Sequence, residues 1–280
     1  MKHDIRLIAI DIDGTLVDGE KRVSPRTAAA VRKAAEKGII MCLATGRPMH
    51  GLPEDVEKLN AFRYGIFSGG AVIADIPESR PVYRKPVPLK QGIRIMELLM
   101  SFPVTAPEVY FDGEIYVQQD RVTIDRLEFS LSYSSRTKKN VVPDIIEFMK
   151  DRQDDPEKLY CLFKHQADKK RAEEELNAMG GLEVVESLQQ NLEISVKGAD
   201  KGSAFTELLR QLGIKKKETM VIGDSENDRS IMEASGYIVA MGNARNSIRV
   251  IADEITDPNE KDGVAVTLER LTDELEKLGR

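Results

Sequence analysis

The feature that most constrains this chain is a short apolar run, Leu7–Ile10, which leads straight into Asp-Ile-Asp-Gly-Thr at residues 11–15. An unbroken apolar run of this length is typical of a strand buried on both faces of a parallel sheet. Because binding sites in open α/β sheets form where such strands end, Asp11 and Asp13 stand where a site is expected. Residues two apart project to the same side of an extended chain. The pair suits Mg²⁺ binding with acid/base or nucleophilic chemistry, since oxygen ligands hold this metal and a carboxylate can attack phosphorus.

Two simpler interpretations compete for this motif. Asp-Gly-Thr after a strand is also typical of a plain turn. A calcium loop is the other alternative, and it needs glycine at its sixth position and glutamate at its twelfth. Counted from Asp11, those positions hold Leu16 and Arg22, so the calcium loop is excluded.

Size and composition limit the class of protein. A chain of 280 residues with 41% hydrophobic content is long enough for one large α/β domain or two smaller ones. The net charge of −6 is spread over mixed-sign segments, and the lysine clusters are too short for a nucleic-acid-binding stripe. No apolar stretch approaches the ~20 residues of a membrane span, and we expect no signal peptide. The only cysteines, Cys42 and Cys161, lack the spacing of a metal site, and we expect a cytoplasmic protein. From the charge distribution and the absence of a long apolar stretch, we expect that it binds neither nucleic acid nor membrane.

The order of the predicted elements indicates a parallel-sheet core interrupted by an insertion. Residues up to 68 follow a β-α-β-α-β pattern, which implies a parallel sheet. Prolines at positions 81, 86 and 88 mark a boundary, after which helices and strands mix, with one hairpin turning at Asp112-Gly113. The parallel pattern resumes after residue 190. We therefore predict an α/β fold in which residues 1–84 and 191–280 form a Rossmann-like core, and residues 85–190 form an inserted α+β domain.

Three further segments carry groups suited to a phosphate or a metal. Thr45-Gly46 follows a predicted strand and supplies a hydroxyl and a backbone N–H that can approach an anion, although Thr-Gly there is more often only a turn. Lys201 opens a helix, where the helix dipole disfavours a cation; it would bind a phosphoryl group and help hold Asp11, although a lone lysine is more often exposed. Residues 223–228, Gly-Asp-Ser-Glu-Asn-Asp, crowd carboxylates and amides in a way that favours a metal site over a capped helix start.

Together the four segments resemble the motifs of the haloacid dehalogenase superfamily of phosphotransferases. DIDGTL at residues 11–16 is similar to the first motif and LATGR at residues 43–47 to the second. Lys201-Gly202 is similar to the third, and GDSEND at residues 223–228 to the fourth. The long insertion between the second and third motifs resembles the large α/β cap of the Cof-type branch, which includes sugar-phosphate phosphatases and phosphomannomutases.

This resemblance implies the chemical roles of three aspartates. Asp11 would be the nucleophile that becomes an aspartyl phosphate. Asp13 would be the acid/base that protonates the leaving oxygen and later activates water. Mg²⁺ would be held by the Asp11 carboxylate, the Asp13 backbone carbonyl and Asp224.

The resemblance also implies the residues that surround the phosphoryl group. The groups that would bind it come from three of the motifs: Thr45, Gly46, Lys201 and Asn227. Asp228 would orient Lys201, and Asn243 would lie near the phosphate site. The branch commonly has an Asn-Gly pair after its third strand, and this chain has Gly69 at the position of that asparagine. This departure affects the expected preference for a leaving group, but not the expected reaction.

The predicted function is a Mg²⁺-dependent phosphatase for a small phosphorylated metabolite such as a sugar phosphate. The candidates to line the substrate cleft are Arg47, His50, Lys164 and His165. A phosphomutase of the same fold, which returns the phosphoryl group to its sugar, is the nearest alternative. A non-catalytic regulator that binds a phosphorylated metabolite is a second alternative, although binding alone would not require both Asp11 and Asp13. The sequence leaves the choice between a monomer and a homodimer open.

Overall fold

The structure is a computed structural model, and it describes residues 4–121, 139–186 and 190–279. The strands have these bounds: β1 Leu7–Ile10, β2 Ile40–Ala44, β3 Tyr64–Phe67, β4 Val72–Asp75, β5 Arg80–Arg84, β6 Val104–Phe111, β7 Glu114–Gln118, β8 Lys139–Val142, β9 Lys158–Phe163, β10 Leu182–Val185, β11 Asn191–Val196, β12 Thr219–Gly223, β13 Tyr237–Ala240 and β14 Glu254–Ile255. The α-helices have these bounds: α1 Pro25–Glu36, α2 Glu54–Glu57, α3 Leu89–Met100, α4 Ile145–Asp151, α5 Gln166–Met179, α6 Lys201–Leu212, α7 Arg229–Ala234, α8 Asn246–Arg249 and α9 Gly263–Lys277. None of these helices is long and apolar enough to cross a membrane.

The chain divides into two compact units. The first consists of residues 1–46, 53–83 and 201–280, and the second of residues 47–52 and 84–200.

The first unit is built on a sheet whose strands follow the order β14-β13-β12-β1-β2-β3-β4-β5. The strands from β14 to β3 are parallel, and β4 runs antiparallel to β3. Every residue of β1 is fully buried, as expected for a strand at the centre of a sheet with both faces covered. Since β1 pairs with both β2 and β12, the two halves of the chain share one sheet, and the predicted α/β fold with a parallel-sheet core is confirmed.

Local sequence explains how the first helix begins and ends. Ser24 is the N-cap of α1 and accepts a hydrogen bond from the backbone N–H of Thr27, and Pro25 occupies the first helical position. The helix ends before Gly38, whose φ of +83° is the left-handed conformation that glycine adopts without strain.

The second unit contains a sheet with the strand order β10-β11-β9-β6-β7-β8. Neighbouring strands are antiparallel except for the parallel pair of β7 and β8. One face of the sheet packs against apolar side chains of α3, α4 and α5, among them Leu99, Met149 and Leu176. Strand β8 was not predicted.

The bounds of the second unit differ from the predicted insertion at residues 85–190 in two places. Strand β11 pairs with β9 and β10, so the unit extends to residue 200. The segment at residues 47–52 also belongs to it, because the backbone N–H of His50 donates to the carbonyl of Gly113 at 3.0 Å.

Candidate active site

The register of the parallel sheet brings three of the predicted segments to one edge. Ile10 at the end of β1 lies opposite Leu43 of β2 and Ile222 of β12. Asp11, Thr45 and Asp224 therefore leave the sheet side by side at the carboxyl ends of its central strands. This edge is where α/β proteins build their sites.

Lys201, the first residue of α6, bridges two carboxylates at this edge. Its Nζ atom lies 2.8 Å from Asp11 Oδ1 and 2.6 Å from Asp228 Oδ1. The three side chains are at most 7% exposed. Burial by itself lowers the pKa of the lysine, but the two carboxylates outweigh that effect and raise it, so the ammonium stays charged. The need for this cation between two buried anions explains a lysine where the helix dipole disfavours one.

Asp228 is held at both of its carboxylate oxygens. Oδ1 pairs with Lys201, and Oδ2 accepts hydrogen bonds from the backbone N–H groups of Asp224 and Ser225 at 3.2 and 3.3 Å. Fully buried, it fixes the direction of the ammonium. The adjacent Asn227 is exposed, and its Oδ1 accepts a hydrogen bond from the hydroxyl of Ser225 at 2.7 Å.

Asp224 lies against the glycine turn of the first motif. The Thr15 hydroxyl donates to Asp224 Oδ1 at 3.5 Å. Gly14 has a φ of +84°, which strains residues other than glycine, and a Cβ atom there would lie 2.7 Å from Asp224 Oδ2 and displace this carboxylate. Burial, and then the charge of Asp228, raise the pKa of Asp224 to about 6.

Asp11, Asp224 and Asp228 form a group that can hold a metal ion. One carboxylate oxygen from each lies within 4.8 Å of the others. Burial, and then the charge of Asp228, also raise the pKa of Asp11 well above its ordinary value, against the opposing effect of Lys201. Three clustered carboxylates with one ammonium retain excess negative charge, which a divalent cation would neutralise. Since both oxygens of Asp228 are engaged by protein donors, Asp11 and Asp224 are the better suited ligands, and both belong to the predicted set.

Other predicted site residues have contacts of their own. Thr45 is buried, and its backbone N–H donates to the carbonyl of Ile66. Asn243 donates from Nδ2 to the carbonyl of Gly14 at 2.8 Å, so that it braces the first motif. Arg47 and Lys164 belong to the second unit, where Arg47 donates to the carbonyl of Gly51 and Lys164 is exposed.

Sequence reasoning missed Lys21, which contacts one of the predicted catalytic groups. Its Nζ atom lies 2.8 Å from Asp13 Oδ1, and the lysine side chain is 17% exposed. It also missed Asn259 and Glu260, which brace the loop that carries Lys21. No local pattern marks Asn259 and Glu260, because their partners lie 242 and 241 positions away. Lys21 lies eight positions from Asp13, but no motif shows that the intervening loop folds back to join the two side chains.

Comparison with known proteins identifies the family of this chain. The sequence profile of a family described as haloacid dehalogenase-like hydrolase matches residues 8–268. Phosphatase YwpJ of Bacillus subtilis (strain 168) is 32% identical, and the match covers 95% of this chain and 100% of the relative. The 5-amino-6-(5-phospho-D-ribitylamino)uracil phosphatase YcsE of the same organism is 30% identical, with 94% of each chain covered.

Solved structures give the same result. A haloacid dehalogenase-like hydrolase from B. subtilis is 30% identical with a TM-score of 0.84, and the match covers 95% of this chain and 100% of that one. One from Bacteroides thetaiotaomicron is 27% identical, also with a TM-score of 0.84, and the match covers 95% and 99% of the two chains. The chain therefore belongs to the family of haloacid dehalogenase-like hydrolases, as one of its phosphatases.

Proposed function

We propose that this protein is a Mg²⁺-dependent phosphatase that hydrolyses a small phosphorylated metabolite through an aspartyl-phosphate intermediate. The observation that carries this proposal is the buried Asp11 carboxylate, paired with Lys201 at 2.8 Å and clustered with Asp224 and Asp228. A carboxylate in this position is oriented for attack, and the lysine beside it offers positive charge to an incoming phosphate.

Charge neutralisation dominates the chemistry, because a phosphate monoester dianion repels an anionic nucleophile. Lys201 supplies one positive charge at the nucleophile, and Thr45 and Gly46 offer donors at the end of β2. Asp11 and Asp224, with the Asp13 backbone carbonyl, would hold Mg²⁺, which when bound supplies further positive charge to the phosphoryl oxygens. Asn227 would lie in the outer shell of the bound phosphate or metal.

The reaction divides into two displacements. In the first, an Asp11 carboxylate oxygen forms a bond to phosphorus while the bond from phosphorus to the leaving oxygen breaks, and Asp13 donates a proton to that oxygen. In the second, water attacks phosphorus and gives its proton to Asp13, and the bond between Asp11 and phosphorus breaks. Inorganic phosphate leaves, and both aspartates return to their starting states.

The names of two relatives support a proposal for the substrate class. One curated relative is named for a phosphorylated ribityl compound, in which the phosphate ester sits on a polyol chain. A relative from Escherichia coli (strain K12), 25% identical, is named pyridoxal phosphate phosphatase. We propose phosphate monoesters of small polyhydroxylated or heterocyclic metabolites as the substrate class, with sugar phosphates among them.

A screen of phosphorylated metabolites for release of inorganic phosphate tests this proposal. We expect the wild-type protein to release inorganic phosphate only when Mg²⁺ is present. EDTA should abolish this activity, and the Asp11→Asn variant should lack it. The exposed Asp273→Asn variant, on α9, is the matched control. A phosphomutase would instead keep the phosphoryl group on its sugar and require a bisphosphate activator. A binding regulator would release no phosphate from any compound, and either result would overturn the proposal.

A further inference from the structure

A tight turn at residues 18–22 presents Lys21 to Asp13. Asp18 Oδ1 accepts hydrogen bonds from the backbone N–H groups of Glu20 and Arg22 at 2.8 and 2.9 Å. The backbone N–H of Asp18 donates to the carbonyl of Arg22, and that of Lys21 donates to the carbonyl of Asp18. Lys21 itself has a φ of +63°. A lysine in this left-handed conformation costs about 1–2 kcal/mol, which the turn must offset.

The turn is fixed from a distant part of the sequence. Asn259 Nδ2 donates to the carbonyl of Val17 at 2.9 Å, and Glu260 Oε1 accepts from the backbone N–H of Gly19 at 2.8 Å. Asn243 links these contacts, because its Oδ1 accepts from the backbone N–H of Asn259 at 3.0 Å while its Nδ2 bonds to the first motif. The loop between Asp13 and Lys21 is thus held at several points by residues more than 200 positions away.

Asp13 is more exposed than the two carboxylates that pair with Lys201. Its side chain is 25% exposed, whereas those of Asp11 and Asp228 are 7% and 1% exposed. Burial therefore does less to restrict the Asp13 carboxylate than its neighbours. A charged hydrogen bond of 2.8 Å from Lys21 fixes one of its oxygens.

Stability alone is a weak reason for this ion pair. Solvent-exposed ion pairs contribute about 0–1 kcal/mol, and whatever this part-buried pair contributes is offset by the backbone cost of about 1–2 kcal/mol for placing Lys21 in the left-handed region. The arrangement makes better sense as one that positions a reacting group, since catalysis by a group that transfers protons depends steeply on its placement.

We propose that Lys21 is a positioning residue for catalysis: its ammonium group orients the Asp13 side chain, which donates a proton as a carboxylic acid in the first displacement and accepts one as a carboxylate in the second. This inference rests on the proposed function. Lys21 acts through Asp13 and contributes nothing to turnover once the Asp13 carboxylate is absent.

A double-mutant cycle on full-length protein tests this role. Turnover of p-nitrophenyl phosphate at saturating Mg²⁺ is measured for Lys21→Met, Asp13→Asn and the double variant, with Asp11→Asn as the blank. We expect Lys21→Met to lower kcat about tenfold, as part of the 10²–10⁴-fold contribution of general acid–base catalysis, and KM to fall with it, because with this substrate the slowed step is hydrolysis of the phosphoenzyme. In the Asp13→Asn background, the same change should alter kcat by less than about twofold.

Two further variants separate positioning from a structural effect. Lys21→Arg retains the cation and should recover most of the lost turnover. Arg22→Met removes a cation from the same turn that has no ion pair with Asp13, and it should leave kcat close to the wild-type value.

The outcomes distinguish failure of this inference from failure of the proposed function. The role of Lys21 is overturned if Lys21→Met lowers kcat equally in the wild-type and Asp13→Asn backgrounds, or does not lower it at all. In either case, turnover by the wild-type protein leaves the proposed function intact. A wild-type protein that hydrolyses no phosphate ester overturns the proposed function and this inference together.

Discussion

Replacing Asp224 by asparagine should stabilise the metal-free protein at neutral pH while it weakens Mg²⁺ binding. Burial and the charge of Asp228 raise the pKa of Asp224 from 3.8 to about 6. A shift of about two units corresponds to ~3 kcal/mol at about 1.4 kcal/mol per unit. Since Asp224 is only partly buried, we expect Asp224→Asn to raise the free energy of unfolding by about 1–3 kcal/mol in EDTA at pH 8.

The gain in stability of Asp224→Asn over the wild type should increase as the pH rises. Between about pH 4 and 6, the folded metal-free protein keeps a proton on Asp224 that the unfolded chain has lost, so wild-type stability falls as the pH rises through this window. Asparagine has no such transition. The advantage of the variant should therefore be absent near pH 4 and complete above pH 7.

Magnesium should reverse the order of stability. Because a ligand stabilises the state that binds it, Mg²⁺ should raise the unfolding midpoint of the wild type more than that of Asp224→Asn. The assay is urea unfolding followed by circular dichroism at pH 4 and pH 8, with EDTA or Mg²⁺, beside calorimetric titration of Mg²⁺. Asp273→Asn, whose carboxylate is 60% exposed, is the control. A variant less stable than wild type in EDTA at pH 8, or one with unchanged Mg²⁺ affinity, would refute the reasoning.

The remaining predictions concern the nucleophile, the bridging lysine and a close helix contact. Asp11→Asn should form no phosphoenzyme, as measured by intact-mass analysis. Asp13→Asn should show a burst of one p-nitrophenol per enzyme and then slow turnover, because that leaving group scarcely needs protonation. Equal behaviour of the two variants would contradict the assigned roles. Lys201→Met leaves the carboxylates of Asp11 and Asp228 unpaired, so we expect loss of activity and a cost of about 3–5 kcal/mol in urea unfolding; wild-type stability would contradict the buried pairing. In Gly202→Ala, the new Cβ would lie 2.3 Å from a backbone oxygen of α7, and we expect a cost of about 1–3 kcal/mol, checked by the same unfolding measurement.

Much of the fold was predictable because it is encoded locally. The apolar run of β1, the Ser24-Pro25 start of α1 and the hairpin turn at Asp112-Gly113 each depend on a few adjacent residues. Strand β8 and the inclusion of β11 in the second unit were not predicted, since strand partners are chosen by the whole sheet. The action of the second unit as a cap and the roles of the site residues stay predictions.

The sequence by itself determined the parallel sheet and the acidic groups at its edge, because strand periodicity, turn residues and the positions of carboxylates are properties of short segments. The rule that parallel strands end at one edge placed Asp11, Thr45 and Asp224 together, whereas Lys201 was assigned to the site from its place at a helix start and from the resemblance to the family. Only the tertiary structure decided that Lys21 meets Asp13 at 2.8 Å and that Asn259, 242 positions from Val17, braces the same loop. Such contacts depend on how distant segments pack, and packing geometry leaves no periodic trace in the chain.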